Sequence, residues 1–190
     1  MKKQILWTCM LVSVLSACTR HQVRHTTDVN YQNLADVSDW KIEGKIAFSD
    51  GRDGGSGKFN WQAEDDAVQV ELRAPLGQGS WRLNEEANGE ARLYSGKDDF
   101  VTAEDAEILV SRQIGWHVPW HALKAWLRVT PHQQAQATEK QEDNILVISE
   151  QGWRIEYKKW SNASGRLLPT RITARKEPYS IKLSIRKWGF

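Results

Sequence analysis

Apolar and polar side chains alternate along most of the chain after residue 40, and this pattern constrains the fold more than any other feature. Successive residues of a strand point to opposite faces, so a period of two predicts strands with one buried and one solvated face. The inward-facing residues would be Trp40, Ile42, Gly44, Ile46 and Phe48; Phe59 and Trp61; Val68, Val70 and Leu72; Trp81 and Leu83; Leu93; Ile145 to Ile148; Trp153, Ile155 and Tyr157; Ile172 and Ala174; and Ile181, Leu183 and Ile185. Short strands separated by turns, such as the glycine-rich segment 49–56, predict an antiparallel meander.

A helical insert separates the two runs of predicted strands. We expect the first helix to begin at Thr102, whose hydroxyl can cap the amides of the next turn. A second helix is expected from Pro119, because proline is favoured in the first turn of a helix, and Pro131 lies beyond its end. The inward residues would be Ala106, Leu109 and Val110 in the first helix and Trp120, Leu123, Trp126 and Leu127 in the second. Such helices can bury their apolar sides only against the apolar face of the sheet, which predicts a curved sheet with a helical plug.

The first eighteen residues predict export and lipidation. Lys2 and Lys3 precede an apolar stretch over residues 5–15, which is too short for a stable membrane span but has the length of a signal-peptide core. Residues 15–18, Leu-Ser-Ala-Cys, resemble the bacterial lipobox, in which the signal is cut before the cysteine and the cysteine is acylated. We therefore expect a signal peptide over residues 1–17 and acyl chains on Cys18. A plain secretory peptide cut near Ala17 is the alternative.

The residues after Cys18 predict a tether followed by a single domain. Thr19 follows the cysteine where aspartate would favour the inner membrane, so by resemblance to lipoprotein sorting in Gram-negative bacteria we expect the outer membrane. Residues 18–39 are polar and predict a tether, with a short amphipathic helix around Tyr31, Leu34 and Val37 as one option. Residues 40–190 have the length of one domain.

Charge and aromatic content narrow the class of partner. The chain has 26 Lys and Arg and 24 Asp and Glu, and removal of Lys2 and Lys3 leaves 24 of each. Affinity for nucleic acid depends largely on basic residues that neutralise phosphates, so no nucleic-acid partner is expected. Ten tryptophans in 190 residues can bury a core or line an apolar site. We therefore expect an apolar partner.

The sequence displays no catalytic or metal-binding pattern, so we expect neither an enzyme nor a metal or other cofactor. Adjacent carboxylates at 65–66, 85–86 and 98–99 would point to opposite faces of a strand and are typical of turns. His117 and His121 have the four-residue spacing of metal ligands on a helix, but Pro119 lies between them and no third ligand is placed nearby. The glycines of segment 51–57 lie in a hairpin with no following helix, unlike a phosphate-binding loop.

One loop departs from the polar composition expected of a turn. Residues 73–80 join two strands, and Leu76 lies between Pro75 and Gly77. Proline and glycine make such a tip stiff and poor in side chains. Leu76 would either project apolar surface outward or fold back onto the end of the sheet, and the residues alone favour the second arrangement.

Several motifs, taken in order, resemble the LolB family of outer-membrane lipoprotein insertion factors. They are the lipobox at Cys18; Trp40-x-x-x-Gly44-x-Ile46; Pro75-Leu76-Gly77; segment 115–127 with Pro119, Leu123 and Trp126; Trp153-x-Ile155-x-Tyr157; Leu168-Pro169; and Ile181-Lys182-Leu183 through Trp188. The resemblance covers essentially the whole chain. One departure lies at Arg128-Val129, where that family usually has a small residue or glycine to close the second helix.

The resemblance implies a mainly β fold with helices, namely a half-open antiparallel β-barrel of about eleven strands with a short helical plug or lid. An apolar cavity would take the acyl chains of lipoprotein cargo handed over by the periplasmic carrier LolA, and a loop of Pro75, Leu76 and Gly77 would help to insert that cargo into the outer membrane. The implied partners are LolA, acylated cargo and outer-membrane lipids, and the protein would be a monomer on the periplasmic side. The cavity would be lined by Ile46, Phe48, Phe59, Trp61, Val70, Leu72, Trp81, Leu123, Trp126, Ile155 and Tyr157.

A passive structural lipoprotein is the alternative function. Its aromatic residues would fill a closed core, and its surface would dock an envelope protein. Alternation alone does not distinguish a filled interior from an open one, whereas a cavity volume or the binding of an acyl-chain fluorophore does.

Overall fold

A computed structural model describes residues 30–75, 79–96 and 99–190, and eleven strands and two helices make up most of them. The first strands are β1 (Trp40–Ser49), β2 (Gly54–Glu64), β3 (Ala67–Arg73), β4 (Ser80–Glu85), β5 (Ala91–Tyr94) and β6 (Phe100–Ala103). Helices α1 (Ala106–Ile114) and α2 (Trp120–Leu127) follow. The remaining strands are β7 (Thr138–Glu142), β8 (Ile145–Glu150), β9 (Trp153–Ala163), β10 (Arg166–Lys176) and β11 (Tyr179–Gly189). Neither helix, nor any other in these ranges, is long and apolar enough to cross a membrane.

All eleven strands form one antiparallel sheet in the order β6-β5-β4-β3-β2-β1-β11-β10-β9-β8-β7. The terminal strands β1 and β11 pair in its middle, from Lys41 opposite Gly189 to Ser49 opposite Ser180. Strands β6 and β7 are the two edges and are not paired with each other in the part of the chain that the structure describes, so the sheet remains open. The predicted half-open arrangement of about eleven antiparallel strands with helices is confirmed.

The predicted alternation matches the burial of the long strands. In β2 every second residue from Gly57 to Ala63 is buried, and the residues between them are exposed. In β9 the buried residues are Trp153, Ile155 and Tyr157. The apolar side chains of the sheet join those of both helices in one core, which places the candidate site between the concave face and the helices.

Gly44 lies at an irregularity in β1. The pairing register with β11 shifts between Glu43 and Gly44. A Cβ atom at Gly44 would lie 2.2 Å from the carbonyl oxygen of Ser184, which is inside van der Waals contact. Only glycine therefore fits where the two backbones approach, which explains the glycine in the motif Trp40-x-x-x-Gly44.

Helix α1 begins later than predicted. Thr102 belongs to β6, because residues 100–103 pair with β5 and continue the sheet, with Tyr94 opposite Phe100. The N-cap is Asp105, whose carboxylate accepts a hydrogen bond of 2.7 Å from the backbone N–H of Glu107. Gly115 ends the helix with φ 93°, a left-handed conformation that glycine adopts without steric cost.

Helix α2 begins at Trp120, one residue later than predicted, with Pro119 as its N-cap, and its buried residues are Trp120, Ala122, Leu123, Trp126 and Leu127. The helix ends at Leu127 with Arg128 as its C-cap, and the next residue, Val129, has φ 58°. A β-branched residue is disfavoured in this left-handed region. Val129 is nevertheless buried in the core, so the fold accepts backbone strain at the position where the sequence departs from the motif of the family it resembles.

The segment before β1 is part of the folded domain. Leu34 is fully buried. The guanidinium of Arg128 donates to the carbonyl oxygens of Leu34 and Ala35, each at 2.9 Å, and to that of Val37 at 3.0 Å. Residues 30–39 contain a turn at 35–36 and no helix, unlike the short helix considered from the sequence, and Arg128 binds three of their backbone carbonyls. The ordered packing thus starts before residue 40, where the sequence placed the domain boundary.

Candidate functional site

An apolar pocket lies between the concave face of the sheet and the two helices. Sixteen residues line it, and all of them are apolar. Strands β1 to β4 contribute seven, β11 contributes two, and the two helices with their connection contribute the other seven. The free volume is about 30 Å³, which is room for one or two water molecules. In this arrangement the pocket is narrow and nearly filled by its own side chains.

Eight of the eleven residues predicted to line a cavity lie on this pocket. They are Ile46, Phe48, Phe59, Trp61, Val70, Leu72, Trp81 and Leu123. Trp126, Ile155 and Tyr157 lie elsewhere in the core. The rings of Trp126 and Trp153 have centroids 5.4 Å apart, and the hydroxyl of Tyr157 donates to the carbonyl of Trp126 at 3.0 Å. Burial raises the pKa of Tyr157 well above its ordinary value, so this hydroxyl remains a neutral donor within solid packing.

The connection between α1 and α2 closes part of the pocket, a role that its sequence pattern did not predict. Ile114 at the end of α1 and Trp116 and Val118 in the connection line the pocket from this side. Trp116 stacks on Tyr179 of β11, with ring centroids 4.8 Å apart and an interplanar angle of 25°. The available signal was the alternation of these three apolar residues in a segment too short to be read as a strand.

The pocket reaches the base of the loop that carries Pro75. Leu72 and Trp81 are opposite each other on β3 and β4, directly before and after this loop, and both line the pocket. Among the sheet residues that line the pocket, Trp81, Ile46 and Phe48 are only half-buried, whereas the others are buried. Leu76 and Gly77, and also Cys18 and the predicted signal peptide, lie outside the described residues.

A buried carboxylate attaches the first turn of α2 to β4. Glu85 accepts a hydrogen bond of 2.8 Å from the indole N–H of Trp120 and one of 2.6 Å from the ammonium of Lys124. Glu85 has 4% of its surface exposed. A charge in such a place is tolerable only when it is paired and hydrogen-bonded, so these two contacts fix the position of the helix start.

A second buried carboxylate, Glu150 at the end of β8, attaches the last turn of α2. It accepts hydrogen bonds from the indole N–H of Trp126 and from the backbone N–H groups of His132 and Gln133, the latter two at 3.0 and 2.9 Å. Glu85 and Glu150 are the buried charged residues among those the structure describes. Helix α2 is therefore bound to both halves of the open sheet through its two tryptophans.

His117 and His121 face carboxylates at the start of α1, Glu107 in its first turn and its N-cap Asp105. Nε2 of His121 lies 3.2 Å from Oδ2 of Asp105, and Nε2 of His117 lies 3.4 Å from Oε1 of Glu107. Although desolvation acts in the opposite direction, hydrogen bonds from the Glu107 amide and the His121 ring hold the pKa of Asp105 below its usual range. Over ranges 30–75, 79–96 and 99–190, no group of three or more His, Cys, Asp or Glu side chains could hold a metal ion.

The fold and the pocket define a class of protein in which an open antiparallel sheet, covered by two helices, encloses an apolar binding space. Residues 38–188 match the family model described as outer membrane lipoprotein LolB. The chain therefore belongs to the LolB family, and the resemblance seen in its motifs is confirmed.

Relatives of this family match over nearly the full chain. The outer-membrane lipoprotein LolB of Marinomonas sp. (strain MWYL1) is 28% identical over 185 residues, with 95% of each chain covered. That of Pseudomonas paraeruginosa is 27% identical over 199 residues, covering 99% of this chain and 97% of the relative. That of Francisella tularensis subsp. tularensis (strain WY96-3418) is 28% identical over 193 residues, covering 97% and 93%. A crystal structure of a LolA superfamily protein from Nitrosomonas europaea aligns with 7% identity and a TM-score of 0.46, over 80% of this chain and 86% of that one.

Proposed function

We propose that this protein is an outer-membrane lipoprotein that receives other lipoproteins from the periplasmic carrier LolA and inserts them into the outer membrane. Membership of the LolB family supports the acceptor role. The choice of an acyl chain as ligand rests on the pocket, whose sixteen lining residues are all apolar. Such a lining favours an acyl chain over a ligand with polar groups to satisfy. Transfer then needs no catalysis or cofactor, because each tenfold preference for the acceptor over the donor corresponds to about 1.4 kcal/mol.

Binding of an acyl chain requires the pocket to open. A free volume of about 30 Å³ holds one or two water molecules, far less than a fatty acyl chain. Helix α2 is held by Glu85 and Glu150 through hydrogen bonds to buried charges, which are costly to break. Trp116 covers the pocket mainly by stacking on Tyr179. We therefore assign the opening movement to the α1–α2 connection and the half-buried rim, with α2 staying in place.

An acyl-chain fluorophore tests the binding step. We expect the protein to bind such a probe without added metal or cofactor, and excess unlabelled fatty acid to displace it. Bovine serum albumin and a heat-unfolded sample of the protein serve as positive and negative controls. A folded protein that binds no probe would favour the alternative, a passive structural lipoprotein with a filled core that docks an envelope protein.

Lipidation of Cys18 would anchor the protein to the outer membrane on its periplasmic side. Each buried methylene contributes about 0.8 kcal/mol to membrane partition, and one chain alone binds only marginally, so stable anchoring takes two or more chains. Mass spectrometry of the native protein should find an acylated cysteine at residue 18 as the first residue. An unacylated residue 18, or any other first residue, would contradict this part of the proposal.

Leu76, between Pro75 and Gly77, would insert into the membrane when cargo is delivered. Leu76→Glu should accept lipoprotein from LolA at the wild-type rate but fail to deposit it in outer-membrane vesicles, because burying a carboxylate among lipids costs several kcal/mol. The measurement follows the two transfers separately, with Leu76→Ile as the matched apolar control. Wild-type rates in both transfers would show that the loop is an ordinary turn, and an unfolded variant would show that Leu76 belongs to the core.

A further inference from the structure

Five basic side chains and one serine form a single row across the outer, solvated face of the sheet. The backbone register places one of them on each of six neighbouring strands, β9, β10, β11, β1, β2 and β3. In spatial order they are Lys158, Arg171, Ser184, Lys45, Lys58 and Arg73. Five inter-strand steps of about 4.8 Å give this basic row a length of roughly 24 Å along the sheet.

The basic row places like charges directly opposite one another. Lys58 is opposite both Lys45 and Arg73, and Arg171 is opposite Lys158. Like charges in such positions are destabilising. Two cations of the row have an ion pair that offsets this repulsion. Arg73 lies 3.2 Å from Glu71, and Lys158 lies 2.8 Å from Glu156.

The three remaining cations of the row have no such relief. Lys45, Lys58 and Arg171 are exposed and form no ion pair with any other described residue. Repulsion among these cations therefore destabilises the free protein, and an anionic partner would remove that repulsion.

The basic row lies along a groove that extends to the loop of Pro75. The groove has a volume of about 830 Å³, and its lining includes Lys45, Lys58, Arg73, Arg171 and a further cation, Lys182. The hydroxyl-bearing residues Ser56, Thr173 and Ser184 lie among them, Ala74 and Pro75 border it, and no carboxylate of the described residues lines it. Cations interspersed with hydroxyl donors are the groups that bind phosphate oxygens.

We propose that the basic row binds the phosphate groups of anionic phospholipid headgroups and thereby holds the protein against the membrane surface with the loop of Pro75 beside it. The inference rests on the proposed function, in which that loop meets the membrane. The continuity of the groove with Ala74 and Pro75 favours a lipid surface over an acidic face of the carrier. Each basic residue near an anionic surface strengthens binding about fivefold at moderate ionic strength.

Vesicle binding tests the proposal. The protein is secreted from residue 18 onward with Cys18→Ala, a form that keeps every described residue and lacks the acyl anchor. It is sedimented with phosphatidylcholine vesicles that contain or lack phosphatidylglycerol. We compare Lys45→Gln/Lys58→Gln/Arg171→Gln with Arg112→Gln/Lys159→Gln/Lys187→Gln, a control that loses the same charge at exposed positions outside the row.

We expect the wild type to prefer the anionic vesicles, the row variant to bind them at least tenfold more weakly, and the control to change by less than about threefold. High salt should abolish the difference. The row variant should melt at or above the wild-type temperature, because it removes like-charge pairs.

Equal binding of both vesicle types by the wild type, or equal binding by the two variants, would overturn the proposal. A row variant that keeps its vesicle affinity but no longer takes cargo from LolA would also overturn it, in favour of a docking site for the carrier. The vesicle test is independent of the cargo assay, because vesicle binding by the basic row is measured without cargo. If Leu76→Glu deposited cargo at the wild-type rate, the role of the loop would be refuted, but the result for the basic row would stand on its own.

Discussion

The concave face of the sheet has two halves that pack against α2 in different ways. Under β1 to β4 the helix faces the apolar pocket, with Leu123 against a lining that includes Trp61. Under β8 and β9 the interior is solid, with Trp126 against Trp153 and hydrogen-bonded to Tyr157. The same alternation of apolar residues thus builds a binding space on one side and a closed core on the other. We infer that the closed half supports the helix so that the pocket half can open.

Trp126→Ala and Trp61→Ala should show the largest difference in stability between the two halves. Trp126→Ala should lower the free energy of unfolding by about 4 kcal/mol, because it opens a cavity in the closed half and removes an indole that binds Glu150. Trp61→Ala should cost less, since the indole N–H of Trp61 has no hydrogen-bond partner among the described residues. Urea denaturation measures the free energy of unfolding of both variants.

Binding of an acyl-chain probe by the folded variants completes this comparison. Trp61→Ala should alter the affinity, because Trp61 lines the pocket, and Trp126→Ala should leave it near the wild-type value. The reverse pattern would place the binding space in the half of the interior that we describe as closed.

Glu150→Gln should show that the closed half depends on a buried charge. The glutamine retains one acceptor oxygen but turns an amide N–H₂ group toward the three donors that Glu150 now satisfies. We expect a loss of about 3 kcal/mol in the free energy of unfolding. Glu142→Gln on the exposed edge strand β7 is the matched control and should change stability by less than about 0.5 kcal/mol. Equal effects of the two variants would show that Glu150 contributes no more than a surface ion pair.

The middle strands and β9 could be predicted as strands from the sequence because their signal is local. Alternation is visible within β1, β2 and β9, and the start of α2 is marked by Pro119. The edge strands lack this signal. Strand β6 exposes Phe100 and Val101, and β7 reads Thr-Glu-Lys-Gln-Glu, a charged composition that discourages pairing with other chains.

The features that the sequence did not predict depend on distant pairs of residues. Alternation places Ile155 and Tyr157 inward but does not say which part of the interior they fill, because that depends on where α2 lies. The basic row joins positions from 45 to 184 only through the register of six strands. An overall balance of 24 basic and 24 acidic residues after loss of Lys2 and Lys3 conceals that asymmetry.

Ile46→Trp should block the pocket without disturbing the core. Ile46 lies on the half-buried rim, so an indole there can cover the opening while keeping part of its surface in water. We expect acyl-chain probe affinity to fall about tenfold, or about 1.4 kcal/mol, with a change in stability below about 1 kcal/mol. Asn60→Trp, at an exposed position of β2, is the control for an added tryptophan. Undiminished probe binding by Ile46→Trp would show that ligands enter elsewhere.

The smallest effect is expected at Asp105, which ties the start of α1 to α2. Asp105→Ala should lower the free energy of unfolding by about 1 kcal/mol through loss of the N-cap, whereas Asp105→Asn keeps an acceptor for the Glu107 amide and should cost only a few tenths. Because the pKa of Asp105 is lowered in the folded protein, the stabilisation by its carboxylate is present above the unfolded value of about 3.9 and is lost as the pH falls through the lower folded value. Urea midpoints at neutral pH and between about pH 4 and pH 2 should therefore show the wild type converging on Asp105→Asn in acid. A difference that is constant over this range would mean that the charge of Asp105, and with it the contact to His121, does not stabilise the joint between the helices.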